Sequence, residues 1–399
     1  MSMPVHFPHK ATAFLALLVL LGLNSCKKKD RFTITDAEIT SEVKDNKSYE
    51  KLIAYGQTIG VKADTTKPEH DLFHFLEEIA YGHKPENIRF IEKVIPADTS
   101  LIKNAAWELA QGTKIDEVVK SLEPPYPAYA SLKKHYTRLT QAGQADSASM
   151  VARALNMYRW MHRQAQGSER MVLVNTRGAY LVGMDSVGKE LVRMNVIVGK
   201  ADSPTPGIDT YATNVITFPY WNIPKSIAVK EMIPKIQENI YYLERNGIKV
   251  IDGKGQIVNE HDIDWNKMSA DHFPYRFRQD TGEDNSLGFM KVNIQNPLAI
   301  YLHDTNVRTL FDADQRWRSH GCVRLEQPTK LANFIAGENM LADDFIEEAL
   351  KSKEEDRKPS THPLKKKVPT FLYYMPVDVD QAGNLVSYKD VYELEGSKL

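Results

Sequence analysis

Apolar residues recur at helical spacing through the first half of the chain and at strand spacing through much of the second. From about Tyr55 to Leu139 the pattern is helical. Leu72, Phe75, Leu76, Ile79 and Ala80 share one face, and Gly82 with Pro85 closes the run. Leu101, Ala105 and Leu109, then Ile115, Val118, Val119 and Leu122, predict further short helices, and Pro124-Pro125-Tyr126-Pro127 is a break. Leu132, Tyr136 and Leu139 open another helix, and Val151, Leu155, Tyr158 and His162 mark one more. At Arg170 the period changes. Met171–Asn175, Ala179–Val182, Leu191–Val198, Asn214–Phe218 and Leu298–Leu302 predict strands, the first two joined by a hairpin at Arg177-Gly178. Short strands in quick succession predict a mostly antiparallel sheet structure.

Residues 225–285 break that rhythm. Ile227 to Asn246 reads as helix, and the polar run from Asp262 to Gly288 embeds Trp265, Phe273, Tyr275 and Phe277. Such an excursion is too long for a plain loop and predicts a capping subdomain or lid. Leu331 to Leu350 reads as helix, and strand character returns from Val368 to Tyr392 around a turn at Ala382-Gly383-Asn384. The fold class expected is therefore α+β: a helical scaffold over 51–165, a β-rich domain with an α-containing cap over 166–345, and a C-terminal extension with strand character over 346–399.

The N-terminus reads as a targeting segment. The apolar run Ala11–Leu23 follows Lys10 and is shorter than the roughly 20 residues a bilayer span needs, so it reads as the core of a secretory signal. Leu23-Asn24-Ser25-Cys26 resembles the lipobox of bacterial lipoproteins. The expectation is a signal over 1–26, a lipid anchor on Cys26, and a polar linker over 27–50 that opens with Lys27-Lys28-Lys29-Asp30. The alternative is a secreted chain cleaved elsewhere. Both put the mature protein outside the cytoplasm, and the anchor predicts a membrane-attached lipoprotein on the periplasmic side of the envelope. The net charge of -1, from 51 basic and 52 acidic residues, offers no basic excess for neutralising phosphates and so excludes a nucleic-acid partner on charge.

Cys26 and Cys322 are the only cysteines. With Cys26 lipidated, Cys322 has no disulfide partner, and a lone exported thiol invites a reactive reading. It sits in Ser319-His320-Gly321-Cys322-Val323-Arg324. A thiol attacks carbonyls well only with a base or cation beside it. His320 is two residues away, and His303, 19 residues upstream, lies on another element able to converge on Cys322. Gly321 permits tight backbone geometry, its amide and that of Cys322 could face an oxyanion, and Arg324 could bind a substrate carboxylate. A buried structural cysteine is the competing reading. No metal is expected: His70 and His74 lack a third ligand, and Cys322 with His303 and His320 lacks a fourth. Gly253-Lys254-Gly255 reads as a turn, and no cofactor is implied.

The segments His303-Asp304-Thr305 and Ser319–Arg324 resemble the signature of the L,D-transpeptidases, the YkuD-type catalytic domain. Val198-Gly199-Lys200 with Thr205-Pro206, Pro219–Pro224, Pro274–Gln279 and Asn296-Pro297 with Tyr301–Thr305 resemble its large-lid branch. The resemblance runs over roughly 155–340. It implies that Cys322 is the nucleophile and His303 its base, oriented through its other nitrogen by a backbone carbonyl such as that of Asp304. His320 and Gly321 would shape the oxyanion region. Arg324, Tyr301, Asp304, Ser319 and Trp221 would line the substrate cleft. The implied partners are donor and acceptor stem peptides of peptidoglycan. The donor tetrapeptide would lose its terminal D-Ala to give a thioester, resolved by an amine as a 3→3 cross-link. The alternatives are an L,D-carboxypeptidase or wall-protein hydrolase using the same site and, from another class, a non-catalytic peptidoglycan-binding lipoprotein. The branch's helical peptidoglycan-binding module has little room between Pro127 and Arg170.

Overall fold

A computed structural model describes residues 34–62 and 71–395. The expected signal, Cys26 and His70 lie outside these residues. Among the described residues no helix is long and apolar enough to cross a membrane.

The polar stretch expected as linker up to residue 50 is helical from Asp36. Thr35 and Glu38 form a reciprocal capping box on the helix Asp36–Asp45, and Ile39 and Val43 give it a buried face. The helices Ser48–Gln57, Asp71–Tyr81, Thr99–Ala110 and Ile115–Leu122 complete this bundle around Leu52, Ile59, Leu76, Ile79, Ala106 and Val118. Within the same region Ile88–Ile91 is a strand, paired in parallel with Gly207–Thr217, so the bundle is stitched to the edge of the main sheet. Four residues are too few for periodicity to reveal.

Two long helices, Pro127–Gln141 and Ala145–Gln164, connect the bundle to the sheet. Leu155, Tyr158 and Trp160 join a core with Met171, Leu173, Phe371 and Tyr373. The Trp160 indole donates to the buried Asp209 carboxylate at 2.6 Å.

The sheet closes on itself. Its strands run in the order Gly207–Thr217, Met290–Ile294, Tyr301–His303, Val323–Leu325, Glu190–Gly199, Tyr180–Asp185, Arg170–Asn175 and Ser360–Tyr373. The last of these returns to pair with the first. Val172, Val174, Val196, Val198, Val292 and Leu302 fill the interior. Met171 and Leu173 point outward beneath the helix Ala145–Gln164. This two-sided burial explains why Met171–Val174 is an unbroken apolar run instead of an alternating one. Most pairings are antiparallel, as expected, but Tyr301–His303 lies parallel to Val323–Leu325, and that pair carries the candidate site. The strand expected at Leu298–Leu302 begins only at Tyr301. Asn296 ties residues 298–300 into a loop, accepting from the Leu298 and Ile300 amides and donating to the Ile300 carbonyl, and Ala299 has φ 55°.

The lid is a subdomain with its own core. A four-stranded sheet joins Trp221–Asn222, Arg276–Gln279, Ile248–Ile251 and Ile257–Val258. Met232, Ile236, Leu243, Val250, Trp265 and Phe277 pack within it. The single helix expected over 227–246 is a broken one: a π-turn at Ala228–Met232, helix Ile233–Glu238, an extended Asn239 (φ −154°) and helix Tyr241–Arg245. Likewise 331–350 divides into Pro328–Ala336 and Phe345–Lys351, because Gly337 closes the first helix in the left-handed region. The register of Ser360–Tyr373 against Gly207–Thr217 jumps between Pro363 and Val368, which lets Lys365-Lys366-Lys367 bulge out.

Candidate active site

Cys322 sits in the turn between the short strand Trp317–Ser319 and Val323–Leu325. Gly321 has φ 120°, a conformation side chains rarely adopt, and an added Cβ would also press on Ile300 at 3.3 Å. Hydroxyls hold the turn. Ser319 Oγ donates to the Cys322 carbonyl at 2.6 Å and accepts from the Gly321 amide at 3.1 Å. Thr205 Oγ1 donates to the Gly321 carbonyl at 2.7 Å and accepts from the Gly199 amide at 2.9 Å. Ser203 Oγ donates to the His320 carbonyl at 3.0 Å. The C-terminal extension backs this loop. Tyr392, stacked on Tyr374 at 4.9 Å, donates its hydroxyl to the Gly199 carbonyl at 2.7 Å.

Three expectations are corrected here. The Gly321 amide does not face an oxyanion, because Ser319 Oγ occupies it. Ser319 is buried and spends its hydroxyl on the turn, which removes it from the substrate contacts. Asp304 is also buried. Its Oδ2 accepts from the Phe289 amide at 2.8 Å and from Arg308 at 2.7 Å, pinning the root of the lid. It packs against Gly288, where a Cβ would lie 2.2 Å from Oδ2. Only the Asp304 main chain reaches the site.

His303 is buried and its Nδ1 lies 2.5 Å from the Asp304 carbonyl oxygen. A carbonyl can only accept, so Nδ1 carries the proton and Nε2 is left as the basic nitrogen. Burial, then the cations Arg324 and Lys291, push the His303 pKa down to about 3, against the pull of the Asp304 carbonyl. The ring is neutral at physiological pH. His303 is in register with Arg324, two residues beyond Cys322 on the neighbouring parallel strand.

Burial pushes the Cys322 thiol up to about 11, while the Tyr301 main chain and hydroxyl, Lys291 and Arg324 pull the other way. At rest the sulfur is a thiol, 3.6 Å from the Ala299 carbonyl. Tyr301 stays protonated, chiefly through burial, and its hydroxyl lies close to both Cys322 and the Trp221 indole. Trp221 comes from the lid, so Trp221, Tyr301 and Cys322 form a chain from lid to nucleophile. A second link is His320, whose Nε2 lies 2.8 Å from Glu231 Oε1 on the lid's π-turn. The His320 side chain thus faces the lid. Arg324 is half-buried, with Nη1 3.4 Å from Thr305 Oγ1 and Nε without a partner.

Sequence reasoning missed Lys291, Ser203, Glu231 and Tyr392, and gave Thr205 only within a motif of resemblance, with no role. Lys291 had a faint signal: in Met290–Ile294 the polar residues alternate with buried ones, so Lys291 and Asn293 share a face turned away from the core. Among the described residues no group of three or more His, Cys, Asp or Glu is placed to hold a metal ion. A cavity of about 1680 Å³ lies between the helical bundle and the C-terminal extension, lined by Phe73, His83, Arg153 and Glu395 and not by Cys322.

Comparison with known proteins agrees with this geometry. The family model of YkuD, the L,D-transpeptidase catalytic domain, matches residues 169–368. A putative L,D-transpeptidase of Haemophilus influenzae is 34% identical over 205 residues, which is 51% of this chain and 40% of that protein. The chain therefore spans under half the length of that relative. Among solved structures, the Ldtfm-avibactam carbamoyl enzyme is 10% identical with a TM-score of 0.24, covering 52% of this chain and 49% of that one. A cysteine-to-serine mutant of Enterococcus faecium L,D-transpeptidase is 10% identical with a TM-score of 0.22, covering 52% and 50%. Similarity at that level is too low to carry an argument. The family match spans half the chain and takes in the paired strands, the turn and the lid that surround Cys322: this chain belongs to the YkuD family of L,D-transpeptidase catalytic domains.

Proposed function

We propose that this protein is a peptidoglycan L,D-transpeptidase that forms 3→3 cross-links through a thioester on Cys322. The observation that carries the reading is the neutral His303, its proton fixed on Nδ1 by the Asp304 carbonyl, on the strand beside Cys322. Nε2 takes the thiol proton as sulfur attacks the carbonyl of the donor's third residue. The S–C bond forms, the amide C–N bond breaks, and the same proton passes to the departing D-Ala amine. A side-chain amine of a second stem then attacks the thioester, losing a proton to Nε2, and sulfur leaves as the thiol. With the Gly321 amide occupied, the Cys322 amide and the Tyr301 hydroxyl are the donors assigned to the developing oxyanion. The region Trp221–Gln279 caps the donor, as in the large-lid branch. Arg324 and Trp221 contact substrate.

The test is intact-mass spectrometry with a tetrapeptide stem, with and without an acceptor amine. The reading expects a Cys322 adduct short of one alanine, discharged to cross-linked product by amine. Discharge to free tripeptide alone would favour the carboxypeptidase, and no adduct on wild type would favour a binding protein. The same reading places the enzyme on the periplasmic side of a membrane through Cys26. A Cys26→Ala protein that still fractionates with membranes would remove the anchor from it.

A further inference from the structure

Residues 369–395 lie beyond the stretch that the family model matches, yet one of them reaches the loop that holds the catalytic turn. Tyr392 is half-buried, and its ring stacks on Tyr374 with centroids 4.9 Å apart. Its hydroxyl donates to the Gly199 carbonyl at 2.7 Å and accepts from the Thr205 amide at 3.4 Å. Those are the two ends of the loop 199–205, and they lie against each other: a Cβ on Gly199 would meet the Thr205 nitrogen at 2.5 Å. One hydroxyl therefore clasps the loop shut. Burial pushes the Tyr392 pKa up to about 12, so the donated proton stays in place across the neutral range. The segment around Tyr392 is itself tied down. The Tyr374 hydroxyl accepts from the Tyr392 amide at 2.9 Å and donates to Asp390 Oδ1 at 2.7 Å. Asp390 also accepts from the Leu394 and Glu395 amides, at 3.2 and 2.8 Å. Glu393 sits at φ 54°, a strained conformation for a residue with a side chain, which persists where the surroundings hold it. Glu395 reaches on to Arg153 of the helix Ala145–Gln164, at 2.7 Å. The loop then passes the restraint to the turn, because Thr205 and Ser203 hold the Gly321 and His320 carbonyls.

We propose that Tyr392 is a positioning residue for Cys322: by clasping the loop 199–205 it fixes the turn so that the Cys322 amide faces the carbonyl that its own sulfur attacks. Tyr392 acts through the loop. Its effect falls on the step in which an oxyanion forms, not on substrate binding and not on the reactivity of the thiol as such. That step is common to every acyl donor. The positioning therefore rests on Cys322 as the nucleophile and not on the peptidoglycan substrate.

Two small reagents separate this role from a structural one, because neither is a peptide. With p-nitrophenyl acetate, sulfur attacks the ester carbonyl through an oxyanion, the S–C bond forms and p-nitrophenolate leaves. With iodoacetamide, sulfur displaces iodide at a saturated carbon and no oxyanion forms. Both rates are read at Cys322 on the full chain by peptide-resolved mass spectrometry. Tyr392→Phe keeps the ring stack and removes the hydroxyl. It should slow acylation about tenfold, the scale of one or two hydrogen bonds lost where geometry decides the rate, and leave alkylation within about twofold. With a tetrapeptide stem the maximal rate should fall by a similar factor, while the donor concentration for half-maximal rate stays within about twofold. Asp380→Ala controls for simple loosening of the same extension. It strips the hydrogen bonds that Asp380 accepts from the Ala382 and Asn384 amides, and should lower the melting temperature with both rates within about twofold of wild type. Ester acylation of Tyr392→Phe within about twofold of wild type overturns the proposal. So does an equal fall of acylation and alkylation, which would mean lost access to the thiol, and so does equal slowing of acylation in Asp380→Ala. If the stem peptide never acylates Cys322 but the ester rate still depends on the Tyr392 hydroxyl, the function is wrong and the positioning stands.

Discussion

The turn that carries Cys322 and the lid that covers it are held by different means. The turn has almost no apolar packing of its own. Ser203 and Thr205 hydroxyls tie the His320 and Gly321 carbonyls to the loop 199–205, Ser319 ties the Cys322 carbonyl and the Gly321 amide within the turn, and Tyr392 ties that loop to the C-terminal extension. The lid is the reverse: it has a private hydrophobic core and meets the turn through two side-chain contacts, Trp221 to Tyr301 and Glu231 to His320. Bonds that fix a backbone allow one geometry, whereas two side-chain contacts at the rim of a packed unit can be broken and remade. The nucleophile is thus pre-organised, and the cap is the part able to open for a substrate.

The comparison predicts that changes in the turn and its base cost far more than changes in the lid. Cys322→Ala should abolish acylation, a loss of about 10³-fold or more. His303→Ala should lower the acylation rate by about 10²–10⁴-fold, the usual worth of a positioned base. Acylation by a stem peptide, followed by intact mass, reads both, and a His303 variant within a few-fold of wild type would remove the base from that residue. The resting protonation states add a pH test. Burial keeps Cys322 a thiol up to about 11 and His303 neutral down to about 3, so between these limits raising the pH adds thiolate without changing His303. Iodoacetamide alkylation should climb about tenfold per pH unit through the neutral range. A plateau near neutrality would instead mean a thiolate–imidazolium pair.

Thr205→Val comes next. It removes two hydrogen bonds from buried main-chain groups, the Gly321 carbonyl and the Gly199 amide, at a cost of about 1–3 kcal/mol. The expected outcome is a lowered melting temperature together with slower acylation. A variant that loses stability but keeps its acylation rate would mean the turn does not depend on this brace.

The nucleophile, its base and the lid's existence were legible in the sequence because each leaves a local mark: a cysteine in a glycine turn, a histidine at a strand end, a polar excursion between strands. Ser319 and Asp304 were legible as site residues but not as what they are. Their neighbours in the chain gave no sign that one would brace the turn and the other the lid root, since both roles depend on how the chain folds back: the Cys322 carbonyl across a tight turn, the Phe289 amide across a strand pair, and Arg308 four residues on. Thr205 and Tyr392 act only through contacts between segments over a hundred residues apart, and Lys291 only through its pairing with the neighbouring strand. The helix at Asp36–Asp45 was hidden for a different reason. Its polar composition masked a buried face of only two residues, Ile39 and Val43.

The smallest effect expected is at the lid's second contact. Glu231 and His320 are each about two-fifths exposed, at 40% and 39%, so water screens the pair and its worth is about 0–1 kcal/mol. Glu231→Gln keeps the shape and a hydrogen bond but removes the charge. If the contact only steadies a closed lid, the variant should acylate at nearly the wild-type maximal rate, with the donor concentration for half-maximal rate raised less than about fivefold, in line with that energy. Added salt should shrink the difference further, because exposed charges are screened within about 10 Å at 0.1 M. A large fall in maximal rate at saturating donor would contradict the contrast between turn and lid, since it would mean that His320 must be held by the lid for the turn itself to work.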